Sequence, residues 1–196
     1  MKRVVVVASV VAILAVTFAQ CSTTNAAAST ASPELRAAGV EAFATVYRVL
    51  QHPRCLNCHP AGRVPLQGDD SHRHGQNVQG GEDGTGLFAM KCTNCHRETN
   101  TPGAHLPPGA PNWHLPEQRM PLVFQGRTAA QLARQLADRA QNGGKSMDEV
   151  LRHVAEDALV GWGWAPGDGR TAVPVPRATF VAAMKTWIDA GCPTPP

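Results

Sequence analysis

The apolar and polar positions divide the chain into one unbroken apolar run, several helical stripes and long stretches with no period. After Lys2 and Arg3, Val4–Ala19 is a nearly continuous apolar run of 16 residues. That is short of the about 20 residues that span a bilayer and fits the apolar segment of an export signal. Ala26, Ala27 and Ala28 offer a small-residue cleavage site, so residues 1–28 are expected to be a signal peptide. Ser32 then caps a helix with Pro33 in its first turn. Leu35, Ala38, Ala42, Val46, Val49 and Leu50 form its stripe, and Pro53 is expected to stop it. Thr128–Gln131 and Ser146–Glu149 are capping boxes that open two further helices. Leu132 and Leu136 face inward in the first, ended by Asn142, Gly143 and Gly144. Val150, Leu151, Val154, Ala158 and Leu159 face inward in the second. A last helix is predicted over about 178–190, with Phe180, Met184, Trp187 and Ile188 on one face and Gly191 as its stop. Residues 60–86, 97–121 and 161–176 are rich in Gly, Pro, Asn and Asp and read as loops. The segment 86–91 reads as a short helix, and no strand is expected. The fold class is therefore mostly α, one domain over 33–196.

Composition narrows the function. Once Lys2 and Arg3 are set aside, sixteen basic residues face fifteen acidic ones. A basic nucleic-acid footprint is excluded as the leading idea, so no nucleic-acid partner is expected. Aromatic residues are only 5%, and a chain so poor in aromatics and rich in loops calls for something else to pack around.

The cysteines supply it. Four of the six form two Cys-x-x-Cys pairs, each followed at once by His: Cys55-Leu56-Asn57-Cys58-His59 and Cys92-Thr93-Asn94-Cys95-His96. This is the attachment signature of c-type haem, present twice. Residues i and i+3 share one face of a helical turn, so two thiols can reach the two vinyl groups on a haem edge. The next residue can turn its imidazole under the ring to the iron. Cys55, Cys58, Cys92 and Cys95 are thus expected to bind two covalent haem c groups, with His59 and His96 as proximal iron ligands. A zinc ribbon prefers about 15–20 residues between its pairs; here there are 33, and zinc gives no reason for both trailing histidines. A disulfide scaffold or a thioredoxin-like pair accounts for them no better. Export agrees with haem attachment in an oxidising compartment, so a periplasmic location is expected. Cys21 stands where a lipoprotein carries its lipid, which would be the only tie to a membrane.

The remaining iron ligands are less constrained. Met120 lies in a Pro-flanked loop where a sulfur can be aimed, and it is expected over the second haem. His74 is expected over the first, with His114 as its competitor. Met90 lies too near Cys92 to reach over the same ring. Arg63, Arg73, Arg119 and Arg127 are candidates to neutralise propionates. Trp113, Trp162 and Trp164 are candidates to pack on the porphyrin faces.

Gly86-x-Phe88-x-x-x-Cys92-x-x-Cys95-His96 resembles the opening of a class I cytochrome c domain. Met120-Pro121-Leu122-Val123-Phe124 resembles the Met-Pro segment that supplies the distal sulfur in that class. The stretch 34–193 also resembles short bacterial dihaem proteins labelled isoquinoline 1-oxidoreductase subunits. It does so through His74-x-x-Asn77-Val78, Pro108-Gly109-Ala110-Pro111-x-Trp113-His114-Leu115 and Gly161-Trp162-Gly163-Trp164-Ala165-Pro166-Gly167. The resemblance implies a small cytochrome c-like helical domain whose Gly/Pro-rich loops wrap two c-type haems. Its expected work is one-electron transfer to or from a redox enzyme partner, with no catalytic residues of its own. The alternatives are a peroxidase-like haem enzyme with one open iron, and an electron-accepting subunit of a molybdenum hydroxylase.

Overall fold

The structure is a computed structural model that describes residues 31–196; the expected signal peptide and Cys21 lie outside the described residues. The architecture is mostly helical. In chain order it runs α1 (Pro33–Leu50), α2 (Pro53–Leu56), the hairpin β1 (Leu66–Gln67) and β2 (His72–Arg73), the hairpin β3 (Gly86–Leu87) and β4 (Met90–Lys91), then α3 (Ala129–Ala137), α4 (Met147–Glu156), α5 (Ala158–Gly161) and α6 (Arg177–Asp189). Among the described residues no helix is long and apolar enough to cross a membrane.

The helix starts follow their caps. The Ser32 hydroxyl accepts from the Leu35 amide at the head of α1. Thr128 and Ser146 form reciprocal capping boxes with Gln131 and Glu149, which satisfy two orphan amides at each start. Pro53 does more than stop α1: after a two-residue turn it opens α2, where its missing N–H costs nothing. The helix beginning at Ser146 breaks at Asp157, whose carboxylate accepts from the amides of Leu159 and Val160 and starts α5.

Two expectations are corrected. Strands do occur, as two antiparallel two-residue hairpins. The segment 86–91 is the second of these, not a helix. Gly86 has φ +98°, outside the helical region, and a Cβ there would lie 2.4 Å from the Met90 carbonyl oxygen.

One apolar core joins α1, α3, α4 and α6. Phe43, Val46, Val49, Leu132, Ala133, Phe180, Met184 and Trp187 are buried in it. The middle of α1 lies against the C-terminal end of α6, with the Phe43 and Trp187 rings 4.9 Å apart and tilted by 51° and Gly39 against Ala190. Trp164 joins this core: its ring is 5.7 Å from Phe180 and its Nε1–H donates to the Val175 carbonyl at 2.7 Å. Met184 and Met147 also pack here, as core side chains. The helical core thus forms one side of the molecule and carries the first Cys-x-x-Cys-His motif directly off α1.

Candidate functional site

Both motifs adopt the tight turn that their spacing requires. In the first, the Cys58 amide donates to Cys55 O at 3.2 Å and the His59 amide to Leu56 O at 3.0 Å. In the second, a 3₁₀ turn over Cys92–Asn94, the amides of Cys95 and His96 both donate to Cys92 O, at 3.2 and 2.9 Å. The five described cysteines are free thiols. Burial pushes the Cys55 thiol up to about 12 and Cys58 up to about 11, against a rise opposed by the nearby Arg54 charge. Both stay protonated at neutral pH and are poor thiolate nucleophiles.

The two motif histidines share one arrangement. His59 Nδ1–H donates to the Leu122 carbonyl at 2.8 Å, and His96 Nδ1–H donates to the Pro108 carbonyl at 2.8 Å. A carbonyl only accepts, so the proton is fixed on Nδ1 and the Nε2 lone pair is left for a ligand. Burial pushes His59 down to about 4 and lowers His96 as well; the carbonyl bond opposes the shift in each. Both rings are held neutral, the state that binds a metal. Each ring is also clamped by an aromatic face. His59 stacks on Phe124 with centroids 3.9 Å apart and 16° between planes. His96 stacks on Trp113 at 4.5 Å and 4°.

The supports come from distant segments. The segment after Met120 closes on His59, where the amides of Phe124 and Gln125 donate to the His59 carbonyl at 2.9 and 3.2 Å. Pro108 reaches His96 because its neighbour is glycine: a Cβ at Gly109 would lie 2.2 Å from Thr99 O and 2.3 Å from Arg97 O. Asn100 ties this region together. Its Oδ1 accepts from the Gly109 amide at 3.1 Å and from Trp162 Nε1–H at 2.8 Å, and its Nδ2 donates to Ala165 O at 2.9 Å. Trp162 in turn meets Trp113 edge-on at 5.0 Å and 83°.

A cavity of about 660 Å³ opens between the motifs, and Cys58, Cys92, Cys95, His96, His74 and Arg54 line it. This lies within the roughly 300–1,000 Å³ of organic cofactor sites. Cys58 of the first motif and Cys92 of the second thus face the same space. His74, expected with the first motif, stands instead beside the second: its ring centroid is 6.2 Å from that of His96, with 67° between planes. Met120 is half-buried and does not line this cavity. His114 lines it, with Nδ1 bonded to the Asn112 carbonyl. His114 and His153 both lie near enough to His59 to lower its basicity. Trp113 and Trp162 form part of the cavity wall, whereas Trp164 belongs to the helical core.

Sequence reasoning passed over Arg54. It is 5% exposed. Its Nη2 donates to Asp69 Oδ1 at 2.6 Å and to the Gly68 carbonyl at 2.9 Å, and its guanidinium lies 5.6 Å from the Trp162 ring centre. Its Nε–H, facing no acceptor, is buried. The two carbonyl partners, Leu122 O and Pro108 O, were also invisible, because backbone atoms carry no residue signature; the Pro108-Gly109 pair was the only local hint of a close approach. Compared with protein-family models, curated proteins and solved structures, the chain matches none of them.

Proposed function

We propose that the chain is an exported dihaem c-type cytochrome that carries electrons one at a time to or from a periplasmic or membrane redox enzyme. One observation carries this reading: each motif histidine, next in sequence to its own pair of thiols, spends Nδ1–H on a backbone carbonyl at 2.8 Å and so leaves the Nε2 lone pair for a ligand. The residues fit the group. The thiol pairs are on tight helical turns, and addition to a haem vinyl group would put each sulfur on one vinyl carbon and its thiol proton on the other. His59 and His96 would be the proximal ligands, and their carbonyl partners raise the donor strength of each ring. Phe124 and Trp113 hold the ring planes. A haem iron in such a site supplies a reversible ferric–ferrous couple. Arg54 places a buried cation on the cavity wall, where it can meet a propionate.

The zinc alternative gives no reason for a histidine directly after each pair.

The test uses the full chain exported in a host that matures c-type cytochromes. A denaturing gel stained for haem peroxidase activity should be positive, and the intact mass should show two added haems. Replacing Cys55 and Cys58 together by Ala should remove one of the two. An unstained band, or two bound zinc ions in place of iron, overturns the proposal. Multiple turnovers with peroxide, coupled to rapid cyanide binding at one iron, would make the protein a haem enzyme instead of a carrier.

A further inference from the structure

We infer that His74 and His96 are the two axial ligands of one iron, so that the loop following the first attachment motif closes the haem attached at the second. The inference rests on the dihaem reading and assigns it a ligand pair. A metal–imidazole bond of about 2 Å and a ring radius of about 1.1 Å place two facing imidazole centroids ~6.3 Å apart across one metal. The observed separation is 6.2 Å.

A second observation is independent of that distance. His74 Nδ1 is buried without a hydrogen-bond partner. A buried ring nitrogen left without a partner destabilises the fold, and a ligand that it could bind would remove that cost. The ring is held in place from its backbone. The His74 amide donates to Pro65 O at 3.0 Å just beyond β1–β2, and its carbonyl accepts from Asn77 at 2.8 Å. His74, His96, Cys92 and Cys95 all line the same cavity. Among the alternatives, His72 is exposed and bonded to Asp70 at 2.6 Å and Met120 does not line the cavity, whereas His114 lines it with Nδ1 bonded to the Asn112 carbonyl. Two imidazoles give a lower reduction potential than a Met/His pair would at the same haem.

The experiment uses the exported holoprotein. Electron paramagnetic resonance and near-infrared magnetic circular dichroism of the oxidised protein should show a bis-imidazole signature for one of its two irons. In oxidised His74→Ala that iron should turn high-spin and added imidazole should restore low spin; after reduction with dithionite the variant should bind one more equivalent of carbon monoxide per chain than wild type. His74→Met, which keeps a ligand and serves if the Ala variant does not accumulate, should lose the bis-imidazole signature and raise one potential only. Met120→Leu should leave that signature and that potential unchanged. Two covalent haems with no change of spin state, ligand uptake or potential in the His74 variants would overturn the pair, as would loss of the signature in Met120→Leu. The denaturing gel separates this from failure of the broader reading: an unstained band removes both, whereas a stained band with unresponsive His74 variants removes only the ligand pair.

Discussion

At the scale of single residues, Arg54 shows how a charge is kept inside this molecule. Its guanidinium has almost no solvent, and desolvation lowers its basicity while Asp69 opposes the shift. Asp69 is itself half exposed and is fixed by the Thr171 amide and hydroxyl, at 3.1 and 2.6 Å. Removing one partner of a fully buried pair costs about 3–5 kcal/mol. Here Arg54 keeps the Gly68 carbonyl and the Trp162 face, and Asp69 already meets water. Asp69→Asn should therefore cost about 2 kcal/mol in urea unfolding at pH 7. The Thr171 hydroxyl, then burial in the opposite sense, then the Thr171 amide and Arg54 set the Asp69 carboxyl, with a net lowering from its usual 3.8. A lowered folded value means that the stabilisation is present above the unfolded value and is lost as pH falls below it. The mutant should show a shallower loss of stability below pH 4, and an unaltered acid limb would exclude Asp69 from it. None of this was legible locally. Arg54 sits between Pro53 and Cys55 like any solvated charge, and its burial depends on Asp69 and Trp162 arriving from elsewhere in the chain. Of the arginines that the loops offered, Arg73 and Arg119 are exposed, bonded to Asn77 at 3.0 Å and paired with Glu117 at 2.5 Å, while Arg63 is half-buried and donates to the Gly81 carbonyl.

At the scale of elements, the contact of α1 with α6 sets the geometry of the core. Gly39 lies inside α1, where Ala would ordinarily gain about 1 kcal/mol of helix propensity. An added Cβ would stand 2.4 Å from Ala190 Cβ and 2.8 Å from Pro193 Cγ. Neither obstacle is a flexible side chain that can swing away, so the two helix ends would have to separate. Overpacking of this kind costs about 1–3 kcal/mol, and it outweighs the propensity gain. Gly39→Ala should thus destabilise by about 1 kcal/mol in urea unfolding; stabilisation by the propensity amount would mean that the helices yield freely there. The helices themselves were readable because their signals are local. Ser32, Thr128 and Ser146 mark starts by side-chain hydrogen bonds that span three residues, and Gly191 marks a stop with φ +79°. The hairpins were not readable. Two-residue strands are too short to show alternation, and Leu87-Phe88-Ala89-Met90 mimics a helical apolar segment although Phe88 is 98% exposed at the hairpin tip.

At the scale of the whole molecule, the two motifs were each plain in the sequence, but the convergence of Cys58 with Cys92, Cys95 and His96 on one cavity, which Cys55 and His59 do not line, is a product of the fold. Thirty-three residues separate them, and the histidine opposite His96 comes from that intervening loop. The convergence has an energetic consequence under the proposed function. Cys58 and Cys92 line the same cavity, so haems attached to them share a wall. An electron on one iron then repels an electron arriving at the other. For unit charges ~10–15 Å apart at an effective dielectric of ~20, the penalty is about 1.1–1.7 kcal/mol. For one electron that is roughly 50–70 mV. Linkage requires the same penalty whichever iron is reduced first. It should also change little between low and high salt, because the charges interact through protein and not across solvent. The near balance of sixteen basic and fifteen acidic residues outside Lys2 and Arg3 adds no strong net surface field. Nuclear magnetic resonance of partially reduced samples, with exchange between redox states resolved, yields the four microscopic potentials and hence this interaction directly. A salt-insensitive negative interaction of that size is expected, whereas an interaction below ~10 mV would correspond to less than about 0.3 kcal/mol and place the two haems too far apart for a common cavity.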